Sequence, residues 1–153
     1  GQIVEVFQRA VDGVASGEPW CMSFAQSCVI RASEMVSIAR PGVSQVLINA
    51  LFRSEHCVTT WSKTDPLCRS QVPTVGSLAV WKTKGNSTGH TGIVVAVQPD
   101  GFFTIEGNTG EGSGIVREGD GVYKKFRTLK GYGNMELLGF IDPWLVRTNA
   151  AQS

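Results

Sequence analysis

The sequence predicts an α+β fold: helices from the N-terminal half packed on a C-terminal antiparallel sheet of about five to six strands. Two observations carry this. Apolar residues recur at helical spacing up to about residue 61, and after Pro73 the chain turns to short β-rich segments punctuated by glycine. Helices first and strands later place the helices on one side of the sheet.

Ile3, Val6, Phe7, Ala10, Val11 and Val14 follow the i, i+3, i+4, i+7 pattern of a first helix, which Gly17 stops. A second begins near Trp20, with Pro19 at its entry, and lines up Cys21, Phe24, Ala25, Cys28, Val29 and Ala32 before Pro41-Gly42 ends it. Ser44 is placed to cap a third helix carrying Val46, Leu47, Ala50 and Leu51, and Ser54 to Trp61 reads as a short fourth. Strands are expected over Ser77–Trp81, Thr91–Val97, Phe102–Glu106, Tyr123–Arg127 and Leu137–Ile141. Pro99-Asp100-Gly101 is the turn of an antiparallel hairpin. Residues 1–146 are expected to form a single domain, with 147–153 a flexible tail.

The 153 residues suffice for one core, and 42% hydrophobic content fills it. Fourteen basic and thirteen acidic residues leave a formal charge of +1, so no global field recruits nucleic acid or an anionic membrane. No apolar run approaches the roughly 18 residues of a membrane span. The opening Gly1-Gln2-Ile3-Val4-Glu5 shows no signal-peptide pattern, and Gly1 is not an initiator. Four cysteines leave pairing open. Cys21 and Cys28, seven residues apart on one helix, stand about 10.5 Å apart, too far to bridge. Cys57 and Cys68 flank a loop and are placed to pair in an oxidising setting. With two histidines and no CxxC, a structural zinc site has little support.

Cys21 sits where a glycine/proline break becomes a helix. Unpaired N–H groups and the helix dipole there stabilise a thiolate and an oxyanion formed by its attack. The bland alternative is a small buried hydrophobe, which Cys28 resembles more closely. His90, bracketed by Gly89 and Gly92, opens a strand; its alternative is a structural histidine. Glu106 and Asn108 are two residues apart and project to one side of their strand. Folding about the hairpin turn pairs residues whose numbers sum to roughly 198 to 200, which brings His90 beside Asn108. A thiol, an imidazole and a polar pair thus converge as nucleophile, base and orienter. Trp20, Trp81 and Trp144 are candidates to line a groove, with core packing the alternative for each. The polar loop Lys82–Gly89, with Lys84 within it, suits a substrate-contacting rim.

The ordered set Gly17-Glu18-Pro19-Trp20-Cys21-Met22-Ser23-Phe24, Val75-Gly76-Ser77-Leu78-Ala79-Val80-Trp81, Gly89-His90-Thr91-Gly92-Ile93-Val94 and Glu106-Gly107-Asn108-Thr109 resembles a CHAP domain. These papain-like cysteine amidohydrolases and peptidases belong to the wider NlpC/P60 grouping and are frequent in phage endolysins and bacterial wall hydrolases. The resemblance runs from about Gly17 to Trp144. It departs at Ser77, where such domains often carry an aspartate. It implies Cys21 as nucleophile, His90 as general base and then acid, Glu106 as its orienter and Asn108 in support, with no metal or cofactor. It further implies a monomer acting on peptidoglycan at the bacterial cell wall (secreted, phage-delivered or periplasmic). The bond cut would be an amide, in the stem peptide or crosslink or between muramic acid and L-alanine. The alternatives are a papain-like amidohydrolase of a non-wall amide and a non-catalytic wall-binding module.

Overall fold

The computed structural model describes residues 2–13, 15, 19–40, 51–109 and 121–144. In chain order these form helices α1 (Gln2–Asp12), α2 (Cys21–Ala39) and α3 (Cys57–Lys63), then a 3-10 turn at Pro66–Cys68. Strands follow: β1 (Arg69–Ser70), β2 (Leu78–Thr83), β3 (Gly89–Gln98), β4 (Gly101–Thr109), β5 (Gly121–Arg127) and β6 (Met135–Ile141). They make one antiparallel sheet in the order β1-β6-β2-β3-β4-β5. The α+β expectation holds, and the architecture is that of the papain-like fold. The expected third helix and the tail from residue 147 lie outside the described residues.

Every expected strand forms: β2 begins one residue later than expected and runs two further, and the other four are extended by two to four residues. The hairpin register sums to 199 beside the turn, where Val97 faces Phe102, and to 198 beyond a bulge, where Val94 faces Thr104. One strand escapes the pattern: β1 is two residues long, too short for any alternation, and joins the edge through Arg69↔Ile141.

Alternation along β2 feeds two cores. Leu78 and Val80 face the helices and pack with Met22, Ala25, Val29, Leu51 and Ile141. Ala79 and Trp81 face the other way and pack with Val94, Phe102, Met135 and Phe140. Each fully buried large apolar side chain contributes ~1.5–3 kcal/mol, so both faces of the sheet hold the structure together.

The helices pack differently from each other. In α1 the buried positions are Gln8 and Val11, while Ile3 and Val6 are exposed. The expected stripe is therefore rotated. Among the described helices and strands α1 packs chiefly on α2, which a narrow seam satisfies. In α2 all seven residues from Cys21 to Ser27 are buried. Its first two turns are enclosed on every side, so no polar face remains to give the start of this helix a helical signature. Gln26 ties it to the segment ahead of α3, its Nε2 donating to the Phe52 and Ser54 carbonyls at 3.0 Å each.

Candidate active site

Cys21 is the first residue of α2, and Trp20 before it supplies no side-chain cap. The first-turn N–H groups therefore have no side-chain acceptor at that position, and the turn contains no acidic residue. Two glycines let helix starts approach the sheet, Gly107 that of α2 and Gly89 that of α3. A Cβ on Gly107 would lie 2.7 Å from the Trp20 ring and 3.0 Å from that of Phe24. A Cβ on Gly89 would lie 3.1 Å from the Cys57 Cβ.

His90 pairs across β2–β3 with Trp81, and the rings stack with centroids 6.1 Å apart at 25°. Glu106 on β4 is fully buried, and its Oε2 meets His90 Nε2 at 2.8 Å. Gly92 makes this possible: a Cβ there would stand 2.6 Å from Glu106 Cγ, so the carboxylate crosses over a glycine to reach the ring. The Thr104 hydroxyl donates to Glu106 Oε1 at 2.6 Å. Arg127 grips both oxygens, Nε to Oε1 at 2.9 Å and Nη2 to Oε2 at 2.8 Å. The guanidinium also lies 3.6 Å from the Tyr132 ring centroid.

With Nε2 committed to Glu106, Nδ1 is the ring atom left to interact with Cys21, and each of the two groups favours the charged form of the other. Electrostatics follow. Cys21 titrates well below the usual cysteine range: a hydrogen bond from Cys57 is the largest cause, burial opposes it, and His90 adds a hydrogen bond and its charge. Burial pulls His90 down, but the Cys21 thiolate and Glu106 together raise it to about 9. Burial pushes Glu106 up, yet Arg127 and His90 hold it down at about 2. Cys21, His90, Glu106 and Arg127 thus form a row in which each group favours the charged form of its neighbour.

A cleft of about 240 Å³ opens on the sulfur, lined by Pro19, Cys21, Glu55, His56, Cys57, Ser87, Thr88 and Gly89. The Ser23 hydroxyl holds the Glu55 carboxylate at 2.8 Å. The expected rim is present in Ser87, Thr88 and Gly89, but Lys84 is not among the lining residues.

A CHAP domain profile matches residues 13–108. The chain belongs to the CHAP domain family. No curated protein and no solved structure matches it. Members of the CHAP family are in general hydrolases of the amidase or peptidase kind, typically directed at peptidoglycan.

The structure gathers three of the expected CHAP site residues, Cys21, His90 and Glu106. Asn108 lies in β4, with its side chain outside the described residues. The expectation that Trp20 and Trp81 line a groove gives way to packing. Trp81 is fully buried beneath His90, because the outer face of the sheet is itself a core. Trp20 is 8% exposed and stacks with Phe7, centroids 6.1 Å apart. The Cys57–Cys68 pairing is also corrected: neither cysteine is in a disulfide, and the Cys57 sulfur faces Cys21 instead. Sequence reasoning missed Arg127 and did not single out His56, which lines the cleft. The one signal for Arg127 is alternation, which puts Tyr123, Lys125 and Arg127 on one face of their strand.

Proposed function

We propose that this CHAP domain hydrolyses an amide bond of peptidoglycan, with Cys21 as nucleophile, His90 as general acid and base, and Glu106 as the orienter of His90. The observation that carries the reading is the chain of contacts from a helix-start thiolate through a buried imidazole to a buried carboxylate, opening on a cleft.

The Cys21 thiolate adds to the amide carbonyl carbon, and uncapped N–H groups at the start of α2 receive the oxyanion. The His90 imidazolium gives its proton to the departing amine as the C–N bond breaks, leaving a thioester. Neutral His90 then takes a proton from water as the oxygen attacks, and thiolate and imidazolium return as the acid leaves. Glu106 keeps the ring turned toward sulfur and stabilises its charged form. The bond lies in the stem peptide or crosslink, or between muramic acid and L-alanine, and the place of action is the bacterial cell wall.

Clearing of purified wall material tests this. Cys21→Ala should lower the rate by at least about a thousandfold with unchanged circular dichroism and melting; retained clearing overturns the proposal. The pH profile is a second check. The reactive state needs His90 protonated while Cys21 is ionised, so kcat/KM should fall as pH rises through about 9, where His90 loses its proton. A basic limb near the ordinary histidine range would mean that the ion pair does not form.

A further inference from the structure

Cys57 has no part in the reaction as drawn, yet it touches the reacting atom. Its Sγ lies 3.7 Å from the Cys21 Sγ, within hydrogen-bonding reach for sulfur, and both are buried. The contact is built in. Cys57 is the first residue of α3, just as Cys21 is of α2. The missing side chain of Gly89 is what lets Cys57 sit against β3. Both residues line the same cleft, so a small molecule that reaches one sulfur reaches the other.

We propose that Cys57 is a further residue of the reaction site: its S–H donates to the Cys21 thiolate, and it captures that sulfur as a disulfide once a hydroperoxide has oxidised it. This rests on Cys21 being the nucleophile. Two thiol sulfurs in contact admit one donor, so the ionised member is stabilised while its neighbour stays protonated. The thiolate beside it, together with burial, holds the Cys57 thiol well above the usual cysteine range.

Oxidation reverses the relation. The Cys21 thiolate attacks the peroxide oxygen, the O–O bond breaks, and Cys21 becomes a sulfenic acid while the peroxide leaves as an alcohol or water. The negative charge facing Cys57 is then gone. Cys57 attacks the sulfenic sulfur, its proton leaves with the hydroxyl as water, and an S–S bond forms. The sulfurs must close from 3.7 Å to about 2.05 Å, a distance that side-chain motion covers. The product is inactive but recoverable by a thiol reductant, whereas an unguarded sulfenic acid proceeds to an irreversible sulfinic acid.

Alkylation and peptide mapping test both arms without needing a substrate. Followed across pH, the midpoint for iodoacetamide modification of Cys21 should lie about one unit higher in Cys57→Ala, a tenfold change in the ionisation constant. Cys57→Ser, which keeps a donor, should lie between that variant and wild type, and Cys28→Ser should match wild type. An unmoved midpoint in Cys57→Ala overturns the donor role. After hydrogen peroxide, wild type should lose the mass of two hydrogens, yield a linked Cys21–Cys57 peptide, and regain alkylation on dithiothreitol. Cys57→Ser should yield sulfinic acid at Cys21 with no recovery. Absence of the linked peptide in wild type, which requires no variant to fold, overturns the capture role. If wild-type Cys21 alkylates no faster than Cys28, the nucleophile reading itself fails, a result distinct from either of these.

Discussion

The two halves of the site are held in different ways. On the sheet side, the Glu106 carboxylate takes four hydrogen bonds, from His90, Thr104 and twice from Arg127, and three strands contribute to them. On the helix side, Cys21 rests on one sulfur contact, the imidazole and the Thr91 backbone N–H. His90 is locked by charge-assisted bonds of fixed direction. Cys21 is set by where α2 docks, and sulfur contacts of weak directionality refine it. In the proposed reaction the duties are therefore separate: the sheet fixes the axis of proton transfer, and the helix delivers the reactive atom to it.

The hardest blow to the sheet side is Arg127→Met. It leaves a buried carboxylate without its cation, and should cost about 3–5 kcal/mol in chemical denaturation. The sign with pH follows from the depressed Glu106: its stabilisation is full above the ordinary glutamate range and is lost as pH falls through about 2. In Arg127→Met that loss should begin at higher pH, and the acid limb of kcat/KM should move up with it. Arg127→Lys should recover part of both. Stability lost with an unmoved acid limb would make Arg127 a packing residue only.

Next in size is Gly92→Ala, whose new methyl would press on Glu106 Cγ at 2.6 Å and on Thr104 Cβ at 3.0 Å. Displacing the carboxylate by about an ångström should lower kcat by roughly a hundredfold, with KM little changed. Full activity would show that the imidazole finds its orientation without Glu106. The smallest effect is expected at Lys84, which lies outside the cleft lining. Lys84→Ala should change KM for wall fragments by less than about twofold, as exposed charges contribute little. A large rise in KM would extend the substrate path past Ser87 and Thr88.

Sequence reached the two halves unequally. Cys21 was legible because a glycine/proline break before an apolar stretch marks a helix start. His90 was legible beside the Glu106–Asn108 end of its neighbouring strand because a hairpin with a marked turn carries its own register, and observed pairs such as Val97↔Phe102 keep it to within one residue. That register pointed to Asn108, and the family resemblance alone singled out Glu106. Arg127 was hidden because the glycine-rich stretch 110–120, between β4 and β5, offers several turn signals and no single one from which to count register. Cys57 was hidden because its contact with Cys21 spans 36 residues and depends on how two helix starts meet on the sheet. The tryptophans were misplaced for a different reason. Alternation tells which side chains share a face, but not that both faces are covered.

Arg127 is the last residue of β5, and among the described residues β5 pairs with β4 alone. Peeling that strand away would sacrifice a single ladder and leave both cores largely standing. It would also remove the cation opposite Glu106, so the ring would lose its alignment. The mechanical margin of the sheet and the chemical keystone of the proposed reaction coincide, so fraying there should silence the protein well before it melts.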